Sequence, residues 1–314
     1  MSRSRLGLAA ALAALLCAAS GSPQSQAAPA KITVETTAGS AGASLFAAKA
    51  EGFFAKRGLD VNILIVNLMP NFPPALVARS ADVAFMTTTT FLQAIDGGLD
   101  LVAFAGGTVT SHRIADTAVV AYTGAGIKTA QDFIGRKVGV PGIGAALQVM
   151  FRYWLDLNHV DSSKVKFVEV SFPTMRDTLA AKSVDAVVGT DPFIAQMVNS
   201  GVGYAAVVLN PAMPEGKALV MYTATREWAT AHAKEIVAFR DAIVEGAAFS
   251  VAHPDKTRDD IDVYAKLPPA IMKKIELGAQ QPILAPDQIS WWIDVMKRQR
   301  MLTGTPDVTK LIWR

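Results

Sequence analysis

Short apolar runs alternate with amphipathic stretches along most of the chain, and this alternation predicts the fold class. Strands are predicted at residues 32–36, 61–66, 82–86, 101–105, 118–122, 137–140, 165–170 and 185–188. Helices are predicted at residues 43–57, 73–79, 90–95 and 145–157, after Pro173, and then at 229–253, 269–277 and 286–300. Strands and helices that alternate in this way indicate an α/β fold with largely parallel sheets.

An internal repeat divides the predicted strands into two groups. Residues 76–85 match residues 179–188 at a constant offset of 103, and Pro70 and Pro173 keep the same offset. Each copy predicts a helix, a tight turn and a buried strand that ends in a polar loop. In open α/β sheets, ligands bind at the carboxyl ends of the strands. The repeat therefore predicts two similar lobes that face each other across a cleft.

The N-terminal segment has the pattern of a secretory signal. Arg3 and Arg5 precede an uncharged run of 14 residues, 6–19, which is shorter than the roughly 20 that a spanning helix needs. Ser25 and Ala27 place small residues before a cleavage site after Ala27, with Ala30 as an alternative and an uncleaved anchor as another. We expect residues 1–27 to be removed and the protein to be periplasmic.

Composition excludes several classes of protein. Apolar residues make up 51% of the chain and charged residues 18%, which is typical of a folded protein. A net charge of +3 gives no support for a nucleic-acid partner. The one cysteine, Cys17, lies in the predicted signal, and the four histidines have no metal-ligand spacing. We therefore expect no disulfide, no metal and no cofactor.

A glycine loop is the first candidate for ligand contact. Gly142, Ile143 and Gly144 follow a predicted strand and precede a helix that is predicted to begin at Ala145. Glycines let backbone N–H groups approach a ligand, and a helix N-terminus favours an anion. The same glycines resemble the opening of a dinucleotide fingerprint, but Leu147 occupies its third glycine position. A plain tight turn is the remaining alternative.

Two hydroxyl-bearing loops offer further candidates. Thr87, Thr88, Thr89 and Thr90 precede an apolar helix, where one threonine is needed as the N-cap and the others are free to contact a ligand. Gly39 and Ser40 follow the first strand. Their surroundings have the spacing of a hydrolase nucleophile elbow with Ala38 at the first glycine position, so an exported hydrolase is one alternative. A loop that offers N–H and hydroxyl donors to a ligand is the other.

Several segments resemble one known family. They read GFFAKRGLDV at 52–61, SADVA at 80–84, DFIGRKVGVP at 132–141, VDA at 184–186 and DP at 191–192. Together they resemble periplasmic substrate-binding proteins of the nitrate, sulfonate and taurine type, which have relatives that bind thiamine pyrimidine precursors. The resemblance runs from about residue 31 to 302.

The resemblance implies a type II periplasmic-binding-protein fold, with two α/β lobes joined by two crossover strands that form the hinge. The crossovers are expected near residues 118–123 and 218–223, with lobe 1 formed by 31–118 and the mostly helical 222–314, and lobe 2 by 119–221. The ligand contacts that it implies are Gly39, Ser40, Thr87, Thr88, Thr110, His112, Gly142, Ile143, Gly144, Ala145, Asp191 and Phe193. Asp191 stands where glutamate is common in the family.

The function that the resemblance implies is capture without catalysis. A monomer would bind a small polar or anionic organic molecule, such as a sulfonate or nitrate, and deliver it to an ABC permease. Alternative ligands are thiamine-pyrimidine-like or other aromatic heterocycles, and an alternative role is that of a sensory ligand-binding module. A related pyrimidine synthase depends on a cysteine-rich motif, which this chain lacks.

Overall fold

The computed structural model describes residues 28–314, so the predicted signal peptide, 1–27, lies outside the described residues. The strands are β1 (Ala30–Thr36), β2 (Leu59–Ile65), β3 (Val83–Thr87), β4 (Leu101–Gly106), β5 (Thr108–Val109), β6 (Thr117–Tyr122), β7 (Lys137–Val140), β8 (Lys166–Glu169), β9 (Ala186–Thr190), β10 (Gly203–Val208), β11 (Val220–Thr225) and β12 (Ala279–Gln280). The fold is mixed α/β, as the alternating pattern predicts.

Helices cover the faces of the sheets. They are α1 (Ala43–Ala50), α2 (Phe72–Val77), α3 (Thr88–Asp96), α4 (Ala146–Leu157), α5 (Met175–Ala180), α6 (Phe193–Asn199), α7 (Arg226–Ala231), α8 (Ala233–Ala252), α9 (Pro254–Ala265), α10 (Pro269–Met272), α11 (Pro286–Arg298) and α12 (Val308–Leu311). Within residues 28–314, no helix combines the length and the apolar character needed to cross a membrane.

The strands form two five-stranded sheets of the same design. The first has the order β2-β1-β3-β11-β4, and the second has the order β8-β7-β9-β6-β10. In the first sheet β11 is antiparallel to both of its neighbours, and β6 has the same relation to its neighbours in the second. Each sheet is the centre of one lobe, so the predicted two-lobe architecture is confirmed.

The predicted repeat is confirmed in atomic detail. The bounds of α2 and β3 match those of α5 and β9 at the same offset of 103. Arg79 and Lys182 occupy equivalent turns and have positive φ angles of 57° and 54°. Asp82 Oδ2 accepts the Thr33 N–H, and Asp185 Oδ2 accepts the Lys137 N–H, both at 2.8 Å. The two copies lie in separate sheets.

The location predicted for the crossovers is wrong. Residues 118–123 and 218–223 belong largely to β6 and β11, which lie inside the two sheets, so the predicted lobe boundaries at 118/119 and 221/222 fall within strands. Buried apolar runs of this kind fill sheet interiors. The chain instead crosses between the sheets through residues 107–116 and 209–219. There Thr110 N–H donates to the Lys217 carbonyl at 2.8 Å, and Gly216 N–H donates to the Thr110 carbonyl at 2.8 Å.

Three predicted helix boundaries also differ from the structure. The helix predicted at 43–57 ends at Ala50, because Gly52 and Gly58 have φ angles of 72° and 71° that a helix cannot continue. The helix predicted at 229–253 is divided at His232, which has φ −121°. The helix predicted at 269–277 covers only Pro269–Met272.

The two largest of three apolar cores among residues 28–314 hold the lobes together. One lies between the first sheet and helices α1 and α8 and includes Phe54, Tyr222 and Phe239. The other is continuous from α3 through α11 to α4, and Phe91, Trp292 and Phe151 belong to it. Because this second core spans both lobes, it fixes how the strand ends of one sheet face those of the other.

Candidate functional site

The strand ends of the two lobes meet at the loop after β1. Ser40 N–H donates to the Asp191 carbonyl oxygen at 3.2 Å, and a Cβ atom on Gly39 would lie 3.8 Å from that oxygen. The sequence prediction placed these three residues on opposite sides of a cleft, and the structure brings them into contact.

A second contact joins the lobes at the glycine loop. Gly144 has φ +83°, and a Cβ there would lie 2.4 Å from the side-chain amide of Gln93 on α3. A side chain at residue 144 would displace the end of the Gln93 side chain and strain the backbone, so glycine favours this approach of the two lobes. The predicted loop therefore does lie at the interface, although Gln93 was not among the predicted contacts.

The N–H groups of residues 143–145, in and just after the glycine loop, are already engaged within the chain. Ile143 N–H donates to Glu169 Oε1 at 3.0 Å, and Gly144 N–H donates to Gln148 Oε1 at 2.7 Å. Ala145 N–H donates to the Gly142 carbonyl at 3.2 Å. One partner is a carboxylate, which disfavours an anion at this loop. Glu169 ends β8, and that position was the sequence signal for this interaction.

The predicted threonine contacts have structural partners. Thr87 is the N-cap of α3, and its hydroxyl accepts the Thr90 N–H at 3.3 Å. Thr88 is fully buried, its N–H donates to the Leu219 carbonyl at 3.1 Å, and its hydroxyl donates to the Ala218 carbonyl. Thr88 thus holds the second crossing segment against α3.

Thr110 and His112 lie on the first crossing segment. The Thr110 hydroxyl donates to the Pro214 carbonyl and accepts the Lys217 N–H at 2.9 Å. His112 is exposed, and its backbone N–H donates to Glu215 Oε2 at 2.7 Å. These bonds join the two crossing segments to each other. The bond from the His112 N–H, together with one from the Ser111 hydroxyl, lowers the pKa of the Glu215 carboxyl group.

Asp191 is buried at the point where the lobes meet. Its Oδ1 accepts the Ala195 N–H at 3.3 Å, and its Oδ2 accepts the Glu276 N–H at 3.1 Å. Burial raises the pKa of Asp191 to about 6 against these two bonds, and the negative charges of Asp116 and Glu276 add to the increase. Each oxygen of the Asp191 carboxyl group therefore already accepts one hydrogen bond from the backbone.

Asp116 is a second buried carboxylate that the sequence prediction missed. It precedes β6, its carbonyl accepts the Asp191 N–H at 3.0 Å, and its Oδ1 accepts bonds from Asn210 and Thr117 at 2.9 and 3.1 Å. Burial raises its pKa. The available signal was an acidic residue directly before an apolar strand.

Two buried hydroxyls complete this group. Ser40 Oγ and Thr108 Oγ1 have no hydrogen-bond partner among residues 28–314, although the two residues are 0% and 2% exposed. A Cβ on Gly278 would lie 2.8 Å from Thr108 Cγ2 and 3.4 Å from Asp116 Oδ2, so both side chains border Gly278. We call Ser40, Thr108, Asp116 and Asp191 the acidic centre.

The acidic centre lacks a buried basic partner. The charged residues that are less than 9% exposed are Glu35, Asp116 and Asp191, and within the described chain no lysine or arginine is buried to that extent. No three histidine, cysteine or acidic side chains of residues 28–314 come together as a metal-binding group.

An apolar cavity of about 150 Å³ lies between the lobes, and none of the four residues of the acidic centre is among those that line it. Phe172 and Phe193 form one wall, with parallel rings whose centres are 5.0 Å apart. Its full lining consists of Thr37, Ala38, Ile65, Val66, Asn67, Phe172, Pro173, Phe193, Gln196, Tyr264, Ala265 and Leu267. Phe193 was predicted as a ligand contact, whereas Phe172 and Tyr264 carried no sequence signal. We call this space the aromatic cavity.

Comparison with known sequences identifies one matching family. The family described as "NMT1/THI5 like" matches residues 41–257, which is more than half of the chain. No match to the chain is found among curated proteins.

Solved structures with the same fold are numerous. The alkanesulfonate-binding protein SsuA from Xanthomonas axonopodis pv. citri, bound to MOPS, superposes with a TM-score of 0.79 at 18% identity and covers 92% of this chain and 99% of its own. The periplasmic nitrate-binding protein NrtA from Synechocystis PCC 6803 gives a TM-score of 0.77 at 18% identity, covering 90% and 86%. The predicted periplasmic-binding-protein fold is confirmed.

Proposed function

Because the chain belongs to the NMT1/THI5-like family, we propose that it is an extracytoplasmic solute-binding protein that holds one small molecule between its lobes and delivers it to an ABC permease. The observation that carries the proposal is the meeting of two similar lobes at Ser40 and Asp191, beside buried polar groups and a cavity. The fold shared with SsuA and NrtA supports it.

The geometry supports capture by closure of the lobes. Opening the cleft would break the bond between Ser40 N–H and the Asp191 carbonyl and separate Gly144 from Gln93. A ligand that contacts both lobes stabilises the closed form by its difference in affinity for the two forms. Affinity and closure are then coupled, and the closed form is the state that a permease would recognise.

The ligand is proposed to be a small organic molecule. The names of SsuA and NrtA favour a sulfonate or nitrate, which is the class predicted from sequence. The acidic centre and the engaged N–H groups of the glycine loop favour the alternative class, an aromatic heterocycle or a similar molecule that donates N–H groups. Phe172 and Phe193 would offer such a molecule an apolar surface.

Catalysis is not part of the proposal. A serine hydrolase needs a base hydrogen-bonded to its nucleophile, and Ser40 Oγ has no hydrogen-bond partner among residues 28–314. We therefore expect the ligand to leave unchanged. Export depends on the predicted signal at 1–27, and N-terminal sequencing of periplasmic material should give Ala28 as the first residue.

The direct test is to identify what the protein carries. Protein purified from periplasm without denaturation should show one bound small molecule per chain by native mass spectrometry, and small-angle scattering should show a more open shape after that molecule is removed by unfolding and refolding. The extracted molecule should return unchanged after incubation with the protein. Conversion of that molecule into a product, or equal shapes with and without it, would contradict the proposal.

A further inference from the structure

We propose that the aromatic cavity binds a small uncharged ring that carries one amide-like edge, an N–H donor next to a C=O acceptor, and that Asn67 and Gln196 recognise this edge from the two lobes. This inference rests on the proposed function and names the chemical class of its ligand. It differs from the anionic class that the sequence resemblance implies.

The first argument is that no charged side chain of residues 28–314 lines the aromatic cavity. All twelve lining residues are apolar, aromatic or neutral polar, and they come from both lobes. Burial, with Asp260 as a charged neighbour, raises the pKa of the Tyr264 phenol, which therefore also stays neutral. A charged ligand that gives up its water between the lobes would find no opposite charge in this wall. The cavity thus favours an uncharged ligand.

The second argument is the size and aromatic character of the cavity. Phe172 and Phe193 of the second lobe have parallel rings, and Tyr264 of the first lobe lines the same space. Phe46 stacks on Tyr264 with ring centres 4.7 Å apart and so positions its ring. An apolar protein cavity of roughly 150 Å³ holds one benzene molecule, and this cavity has about the same volume. The body of the ligand is therefore a single small ring.

The lining changes from apolar to polar between its buried and its exposed parts. Ala38, Phe172 and Phe193 are buried, whereas Gln196 is half-buried and Asn67 is exposed. Binding sites of this kind are mostly apolar, and a few polar groups fix the orientation of the ligand. A ligand would thus place its ring against the phenylalanines and its polar edge toward the mouth.

The third argument is the chemistry of the polar groups at that mouth. Asn67 follows β2 in the first lobe, and Gln196 lies on α6 in the second. Neither carboxamide is hydrogen-bonded to another residue among 28–314. Each has two N–H donors and an acceptor oxygen. A carboxylate or sulfonate offers only acceptors and an amidinium only donors, whereas an amide pairs with both parts of a carboxamide. An amide-like edge therefore suits both residues.

The helix that begins at Phe193 does not create an anion site in the cavity wall. In its first turn, the N–H groups of Ala195 and Gln196 donate to Asp191 Oδ1 and to the Pro192 carbonyl at 3.3 and 3.1 Å. The Asp191 carboxyl group lies outside the lining, and both of its oxygens accept backbone N–H groups. The wall near α6 thus keeps its neutral character.

The test compares three probes that share a ring and differ in charge. At pH 7 benzamide is neutral, benzoate is an anion and benzamidine is a cation. Each is titrated, by calorimetry and ligand-observed NMR, into mature protein that has been refolded to remove any bound molecule. We expect benzamide to bind one-to-one and about ten-fold more tightly than either charged probe. Failure of benzamide to bind, or tighter binding of benzoate or benzamidine, would overturn the inference.

Two charge-changing variants decide where the amide edge binds. Asn67→Asp and Gln196→Glu each replace a carboxamide with a carboxylate of the same shape, so each should reverse the preference from benzamide to benzamidine. Gln131→Glu is the matched control, because Gln131 is exposed in the second lobe and lies outside the lining. A purely structural role of the two residues would not change the order of the probes. An unchanged order in either variant would overturn the inference.

A third variant tests the contact with the ring. Phe172→Leu should weaken benzamide binding roughly two- to ten-fold, because it removes an aromatic wall and keeps an apolar side chain. Phe167→Leu is the control, since Phe167 packs on Phe151 and does not line the cavity. Equal affinity for benzamide in these two variants would refute the position of the ring.

The outcomes separate this inference from the proposed function. An unchanged anionic molecule extracted from native protein would overturn the inference of an uncharged ligand and leave the solute-binding role intact. Conversion of the extracted molecule into a product would instead overturn the solute-binding role.

Discussion

Two aspartates repeat the same interaction in the two lobes. Asp82 and Asp185 each follow the turn before a central strand, and each carboxylate accepts an N–H from the neighbouring strand at 2.8 Å. The bond ties the start of β3 to β1, and the start of β9 to β7, across residues that are about 49 positions apart. These two side chains therefore fix strand pairing rather than ligand contact.

Replacing these aspartates should lower stability. Because each substitution leaves a strand N–H without its charged acceptor, Asp82→Ala and Asp185→Ala should each reduce the free energy of unfolding by about 1–3 kcal/mol in urea denaturation. Asp177→Ala is the control, since its side chain is 77% exposed and pairs only at the surface. Losses no larger than that of the control would contradict the assigned role.

The carboxyl group of Asp191 should make stability depend on pH. Its pKa is raised from the usual 3.8 to about 6, so the folded protein favours the protonated form. Its favourable contribution is therefore complete below about pH 3.8 and is lost as the pH rises through 6. Between these two pH values the free energy of unfolding should change by roughly 3 kcal/mol. The charged groups that face Asp191 are Asp116 and Glu276.

Asp191→Asn removes this titration and provides the measurement. Unfolding free energies measured between pH 4 and 8 should fall with rising pH more steeply in the natural chain than in the variant. Parallel curves for the two proteins would show that Asp191 does not titrate in this range.

At the scale of elements, the approach of α3 to the glycine loop controls closure. A side chain at residue 144 would collide with Gln93 and would also strain a backbone with φ +83°. Gly144→Ala should therefore weaken ligand affinity by roughly ten-fold. Adding Gln93→Ala should restore part of that loss, because it removes the collision and leaves the strain. Titration of the natively bound molecule checks both, and equal affinity in all three proteins would contradict the role of this contact.

Local elements could be predicted from sequence, and their long-range order could not. The strand at 137–140 and the repeat at 103 residues depend on neighbouring positions, and both are found in the structure. The positions of β6 and β11 depend on which strands they pair with, and those partners lie far away in sequence. The crossovers predicted from the family resemblance therefore fell on strands that lie inside the sheets.

The candidate site shows the same division. Gly39, Ser40 and Asp191 could be found because each follows a predicted strand, and strand ends bind ligands. Asp116 precedes an apolar strand, but its burial depends on Asn210 and its position beside Asp191 depends on the crossing segment, and neither is local in sequence. The partners of Asp191 are equally distant, since Glu276 lies 85 residues away.

At the scale of the molecule, α11 joins the two lobes. Just after this helix, Gln299 Nε2 donates to the Val149 carbonyl of the second lobe at 3.1 Å. Next along the chain, Thr303 and Gly304 donate their N–H groups to Asp96 of the first lobe at 2.8 and 2.7 Å. The buried Trp292 of α11 belongs to the same core as residues of α3 and α4. Together with the bonds that follow it, α11 therefore joins the two lobes.

Removing the buried ring should separate the lobes energetically. Trp292→Ala should lower the free energy of unfolding by about 3–5 kcal/mol, and the single urea transition expected of the natural chain should become two. Trp228→Ala is the matched control, because its ring is only half-buried and stacks on His232 at the end of its own helix, α7. A single transition with a loss similar to that of the control would contradict the linking role of α11.

The order of strands in the first sheet has a consequence for biosynthesis. The second sheet uses only strands between residues 117 and 208, whereas the first sheet cannot be completed until β11, which lies between β3 and β4, has been made. Until then β3 and β4 have unpaired edges. Nascent chains that stop before residue 220 should thus remain protease-sensitive in their first hundred residues. The late synthesis of β11 would then keep the leading part of the polypeptide unfolded while it passes through a secretory channel.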